Sequence, residues 1–332
     1  MKLKQKQKKN KKKPSYQLPV RPNLAQLKRR CLQKEMQIAQ DLIERGATEI
    51  SGKCRTSWWK SGDKKGDFTN SCYYLNNNSN VLAVAHMDTV QSCKHFDSAK
   101  LTNETRVFNA KLDDRLGVYT IMDFLPALGI STDILLTTDE ERCATSAKHF
   151  SPNVANKGWN WIVEFDREGV DVVLYQYHDA VWEEAIVESG FTLGHGSYSD
   201  IAELDEHGVC AMNIGVGTQH GHSADAYTVL EDYTSQIAKF LNFYHINVDK
   251  EFKFTDTGYS YGFSDEYYPL DEEAYEEDRK IDEWSINSDT YCDECFVEFN
   301  LQRDSFGVIN SEGTQYEWCC PYCGSSNIIN IH

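Results

Sequence analysis

Five segments of this chain carry acids or histidines at places where a sheet would present them together. The first is an apolar run, residues 81–85, followed by His86-Met87-Asp88. A short apolar run after the Asn-rich residues 76–80 predicts a buried strand. A histidine at its C-terminal end sits where open α/β sheets place their ligands. Asp88, two residues on, shares that face and can touch the ring or whatever the ring binds. The second position is Asp113, just before a predicted helix over 116–128. The third is the pair Glu140-Glu141, directly after a predicted strand at 134–138. The fourth is Asp166, after the run 161–165, and the fifth is His222, in the loop after a predicted strand at 210–216. Parallel strands deliver their C-terminal ends to one edge of a sheet, so these residues can converge.

Each position also has a plainer explanation. A histidine after an apolar strand is commonly a satisfied half-buried residue. Asp113-Asp114 suits a helix N-cap, Glu140-Glu141 a first-turn dipole pair, and Asp166 a turn. Those explanations do not account for all five falling after strands in one alternating chain. Two histidines and three carboxylates suit two Zn²⁺ ions with one carboxylate shared between them. The remaining Glu of the pair can then serve as a general base.

The segments His86-Met87-Asp88, Leu112-Asp113-Asp114-Arg115-Leu116-Gly117, Thr137-Thr138-Asp139-Glu140-Glu141 and Phe165-Asp166 resemble the core motifs of the co-catalytic zinc exopeptidases, the superfamily of aminopeptidases, carboxypeptidases and deacylases. Ser199-Asp200, Gly208-Val209-Cys210-Ala211 and His222-Ser223 continue the likeness, which covers roughly residues 80–250. The resemblance implies that Asp113 bridges two zinc ions, with a cis peptide to Asp114. It implies that His86 and Asp166 complete one ion, that Glu141 and His222 complete the other, that Glu140 is the base, and that Asp88 orients His86. His220 competes with His222 for the last position, and Ser223 favours His222. The family glycine after the Glu-Glu pair is replaced around Arg142-Cys143-Ala144. Only 55 residues separate Asp166 from His222, which leaves no room for the dimerisation domain that some relatives insert there. Tyr198 or His195 is the candidate substitute for the transition-state-binding histidine which that insertion supplies.

The C-terminal part carries Cys292-x-x-Cys295 and Cys320-x-x-Cys323, separated by 24 residues. Two such knuckles present four thiolates to one tetrahedral zinc, the pattern of a zinc ribbon. A module so short would depend on the metal for its folding. Acidic residues around it favour a protein partner or a structural role over nucleic acid.

Positioning the five residues requires an α/β fold: a central mixed, mostly parallel sheet flanked by helices, followed by the small ribbon. Helices are predicted over 23–45, 116–128, 142–150, 180–188, 200–207 and 230–246, and further strands over 68–75 and 172–177. Residues 68–75 and 81–85 read as adjacent strands. The chain divides into a Lys-rich tail (1–20), a catalytic domain (21–250), an acidic linker or surface segment (251–285) and the ribbon (286–332). With 332 residues it can bury one large core and carry a small second module. The net charge of −17 disfavours nucleic-acid binding by the body of the protein, although residues 2–13 hold eight Lys. No stretch approaches the roughly 20 apolar residues of a membrane span. The basic N-terminus has no apolar run after it and is not read as a secretory signal. The eleven Cys, an odd number, point to metal binding in a reducing, cytoplasmic setting rather than to a disulfide framework.

These features lead to a zinc-dependent amide hydrolase, first a metallo-aminopeptidase acting on peptides. The alternatives are a deacylase acting on an N-acyl amino acid or similar small amide, and a non-catalytic binding protein that keeps the hydrolase fold. The ligand sets predict up to three Zn²⁺ per chain, two catalytic and removable and one held tightly by the ribbon. Elemental analysis before and after mild chelation tests this; no more than one metal after zinc loading would overturn the paired site.

Overall fold

The computed structural model describes residues 18–55, 67–91, 93–142, 145–154, 157–196, 198–223 and 225–255, together with the backbone of the strands between 289 and 330. The chain divides into two units, Met1–Gly262 and Phe263–His332.

The first unit is built on a seven-stranded mixed sheet. Its strands are β1 (Thr48–Arg55), β2 (Asp67–Leu75), β3 (Val81–His86), β6 (Asp133–Thr137), β7 (Trp161–Arg167), β8 (Val172–Val173) and β9 (Ala211–Gly215), in the order β1-β2-β6-β3-β7-β9-β8. β6, β3, β7 and β9 run parallel, and the flanking strands pair antiparallel. All six residues of β3 are buried. That is what a strand covered by helices on both faces requires, and it is why the run 81–85 is continuously apolar rather than alternating. A second, antiparallel sheet is formed by β4 (Asp97–Lys100), β5 (Thr105–Phe108), β10 (Thr218–Gln219) and β11 (Tyr227–Val229). These short strands carry no alternating pattern that would have marked them.

The closing helix Leu230–Asn247 buries Tyr233, Ile237, Phe240 and Phe243, which recur at helical spacing. Phe240 meets Phe165 edge-on at 4.9 Å, and Phe243 meets Trp161 at 5.1 Å and Trp182 at 5.4 Å. Trp161 and Phe165 lie on β7, the strand that also carries Asp166, so this packing anchors the strand beneath that carboxylate.

Several sequence expectations change. The predicted helix at 23–45 is two helices, Leu24–Leu32 and Glu35–Ile43, broken at Gln33 and Lys34. The break rephases the second helix, so Ile38 and Leu42 are buried while Met36 is 70% exposed. It also lets the buried Arg30 reach both Asp41 (2.8 Å) and Asp123 (2.6 Å). Strands β2 and β3 are not adjacent, because β6 lies between them. The helices expected over 142–150 and 200–207 are short 3₁₀ turns with one α-helical turn at Phe150–Asn153. The strand expected over 172–177 is two residues long.

Of the second unit, β12 (Asp289–Tyr291) pairs with β13 (Glu298–Asn300), and β14 (Gly307–Ile309), β15 (Gln315–Cys319) and β16 (Ser326–Asn330) form an antiparallel sheet. Cys292, Cys295, Cys320 and Cys323 lie outside the described residues, as does most of the acidic segment 251–285.

Asp133, at the start of β6, locks the Asn-rich turn to the sheet. Its fully buried carboxylate accepts from the N–H groups of Asn77 and Ser79, the hydroxyl of Tyr74, the indole of Trp159 and the ammonium of Lys157. Burial alone would raise its pKa. The donors, led by the Ser79 N–H, outweigh burial and hold it below the usual carboxylate range. A depressed folded pKa stabilises the fold above the unfolded value of about 3.9, and that stability is lost as pH falls through the folded value. Asp133→Asn removes the charge and turns an amide toward these donors, at an expected cost of about 3 kcal/mol. Chemical denaturation at pH 7 and at pH 3 checks this: the difference between parent and variant should shrink at the lower pH.

Candidate metal centre

Strands β3, β6 and β7 end at one edge of the sheet, and their last residues lead into a cleft of about 750 Å³. His86 closes β3 with its ring buried. Its Nδ1 donates to the Asp88 carbonyl at 3.1 Å, which leaves Nε2 free to face the cleft. Around Nε2 stand Asp113 Oδ1 at 3.3 Å, Asp166 Oδ1 at 3.5 Å and Glu140 Oε2 at 3.9 Å. The other oxygen of Asp113, Oδ2, lies 3.0 Å from His222 Nε2, and Glu141 Oε2 lies 3.3 Å from the same nitrogen. One carboxylate thus stands between two imidazoles and turns one oxygen to each. His222 meets these acids, whereas the His220 ring lies against Tyr227.

The supports are local. The Asp88 carboxylate stands 3.6 Å from His86 Nδ1 and accepts from the N–H groups of Glu140 (3.3 Å) and Glu141 (3.2 Å), so it holds the Glu-Glu turn. The Val90 N–H donates to Glu141 Oε1 at 3.3 Å. Asp166 lies at a register shift between Glu164 and Arg167, where β7 bulges against β9. Asn213 of β9 spans the bulge: its Oδ1 accepts from the N–H of Asp166 (3.1 Å) and of Arg167 (2.9 Å). A bulge of this kind re-aims a side chain at a sheet end. Asp114 caps the next helix, its Oδ1 accepting from the Gly117 N–H at 2.8 Å. A Cβ at Gly117 would lie 2.3 Å from that oxygen, so only glycine allows the approach. The Asp113–Asp114 peptide bond is cis.

Crowded acids alter one another. Burial, together with Asp166, Asp200 and Glu141, pushes Glu140 up to about 9. Burial and the Asp113 charge push Glu141 up to about 7. Hydrogen bonding to Asp113 raises His222 to about 9. Burial would lower His86, but Asp166, Asp113 and Asp88 outweigh it and raise it. Burial would raise Asp113, but its bonds to His222 and His86 hold it far below the carboxylate range. Glu140, Glu141, His86 and His222 thus hold protons more tightly than usual while Asp113 stays ionised between the two imidazoles, a balance that a cation at the cluster would relieve.

The donor chemistry fits a cation. Ligand atoms of His86, Asp113 and Glu141 lie within 4.8 Å of one another, as do those of His86, Asp114 and Asp166. Asp114 Oδ2 is buried with no hydrogen-bond partner among the described residues. Imidazole nitrogens and carboxylate oxygens at this density are a zinc-type donor set.

In the layer behind the site, sequence reasoning named Ser199-Asp200 through the resemblance and missed Glu164. Glu164 is fully buried within β7 and accepts from the Ser199 hydroxyl, while Asp200 accepts from Thr137. A charged residue inside the run Trp161-Ile162-Val163-Glu164-Phe165 was the available signal. Tyr198 lines the cleft with its hydroxyl donating to Glu203 at 2.8 Å; His195 is exposed and does not line it.

No family model and no curated protein matches the sequence. Solved structures do align with it. A tripeptidase from Staphylococcus aureus is 10% identical, covering 68% of this chain and 98% of its own, with a TM-score of 0.47. A Zn-dependent exopeptidase from Parabacteroides distasonis is 12% identical over 66% and 94%, with a TM-score of 0.43. A glutaminyl cyclase from Porphyromonas gingivalis is 13% identical over 67% and 96%, with a TM-score of 0.43. At likenesses of this size, the functional reading rests on the geometry of the site itself.

Asp88→Ala keeps the main-chain carbonyl that orients His86 but strips the acceptor from two backbone N–H groups. It is expected to cost about 1–3 kcal/mol of stability and to loosen Glu140 and Glu141 together. Thermal unfolding, with activity measured on the same sample, checks both; unchanged stability would overturn this role.

Proposed function

We propose that this chain is a zinc-dependent hydrolase that cleaves an amide bond, a metallo-aminopeptidase in preference to an N-acyl amino acid deacylase. The observation that carries this is the Asp113 carboxylate, set between His86 and His222 with Asp166 beside one and Glu141 beside the other. On this reading His86, Asp113 and Asp166 hold one zinc and Asp113, Glu141 and His222 hold a second. A third, structural zinc belongs to Cys292, Cys295, Cys320 and Cys323. When bound, paired zinc ions polarise a carbonyl and make water acidic near neutral pH. The chain's own residues do the rest. Glu140 reaches into the same space without facing His222, and its Oε2 takes the proton from an attacking water and returns it to the leaving nitrogen. Asp88 holds Glu140 in place through the main chain. The presence of a base beside a full ligand set disfavours a purely binding role.

Glu140→Gln keeps size and hydrogen bonding but removes the basic oxygen. Turnover should fall about 10²–10⁴-fold with zinc content unchanged. Glu141→Gln should lose zinc and activity together. Metal analysis and rates on the same samples separate the two residues. Near-normal hydrolysis by Glu140→Gln would overturn the assignment of the base, and zinc loss confined to Glu140→Gln would exchange the roles.

A further inference from the structure

We infer that Glu168 selects substrates with a free α-ammonium group; this rests on the amide-hydrolase reading above. Glu168 lies just past the end of β7, lines the cleft and is exposed. One of its oxygens is fixed: Oε1 accepts from the His220 N–H at 2.5 Å. Its Oε2 receives no donor among the described residues. A Cβ on Gly221 would lie 3.6 Å from Asp113 Oδ2 and 3.8 Å from Glu168 Oε2, so the two oxygens flank the same glycine. The missing side chain leaves the space between them to a ligand. In a peptide the α-nitrogen is separated from the first carbonyl carbon by only the α-carbon. A group beside Asp113 is therefore at the right reach for a chain whose carbonyl lies at the cluster.

The charge balance points the same way. Two divalent cations would offset Asp113, Glu140, Glu141 and Asp166. Asp114 is buried, with Oδ1 on the Gly117 N–H and a carboxylate oxygen within the group it forms with His86 and Asp166. Arg167, the one arginine of the cleft lining among the described residues, donates to both oxygens of Asp171, at 3.2 and 3.3 Å. Glu168 is then the exposed carboxylate of the lining, and no cation stands beside it among the described residues. An ammonium supplies one. The carboxylate of an N-acyl amino acid would instead meet Glu168 and find Arg167 already paired.

The test uses the full-length, zinc-loaded protein and two probes, alanyl-alanine amide and its N-acetyl counterpart. Binding is measured by calorimetry and cleavage by product analysis. The parent should bind the free-amine probe more tightly. Glu168→Gln should weaken that binding about 10- to 100-fold, leave the acetylated probe where it was, and keep the parent's melting temperature. Glu168→Asp, which keeps the charge on a shorter arm, should restore part of the loss. If the parent prefers the free amine and Glu168→Gln keeps that preference in full, Glu168 is not the selector and the peptidase reading stands. If the parent binds and cleaves only the acetylated probe, the peptidase reading fails and this inference with it. Binding of neither probe overturns both.

Discussion

Carboxylates that repel one another are held here at one edge of a sheet, and much of the structure answers that single constraint. Asp113, Glu140, Glu141 and Asp166 approach His86 and His222 closely enough that their proton affinities shift together. Such an arrangement is unfavourable for an isolated chain and persists only where the scaffold over-determines it. The apolar strand β3, the buried Trp and Phe rings under β7 and the closing helix supply that rigidity. The rigidity comes from the core, and the crowded carboxylates stand at the strand ends.

The scaffold positions the acids through main-chain contacts rather than through side-chain pairs. Asp88 grips the Glu-Glu turn by two N–H groups, and Asn213 grips the bulge that carries Asp166 by two more. Main-chain clamps suit such a site because they leave the lone pairs of the functional oxygens free. They also couple neighbouring strands, since each clamp reaches from one strand end to the next.

The sequence made some of this legible and hid the rest for physical reasons. His86, Asp113, Glu140 and Asp166 stood out because each closes an apolar run or follows one, a signal local in the chain. The order of the strands did not stand out: β6 inserts between β2 and β3, and nothing in either hairpin-like segment announces a third strand. The break at Gln33 and Lys34 was hidden because the apolar spacing continues across it; only the Arg30 pairing in three dimensions explains the change of phase. His220 and His222 share one glycine-flanked loop, so spacing left both open. Asn213 and Glu168 had no local signal at all, since their roles arise from partners on other strands.

The two histidines of the cluster live in different mechanical settings. His86 is the last residue of a fully buried strand, whereas the side chain of His222 is 71% exposed on a loop. Strand-borne groups are held more precisely than loop-borne ones, and loops open at lower free-energy cost than core strands. On the proposed reading the centre is therefore a socket with one wall buried in the sheet and one wall closed by an exposed loop histidine. The half formed by His86 and Asp166 exists as soon as the sheet has folded, while the half formed by Glu141 and His222 is completed by the loop. Loading is then ordered, with the strand-side position filling first and emptying last, and a metal-poor protein would collect in a singly occupied form.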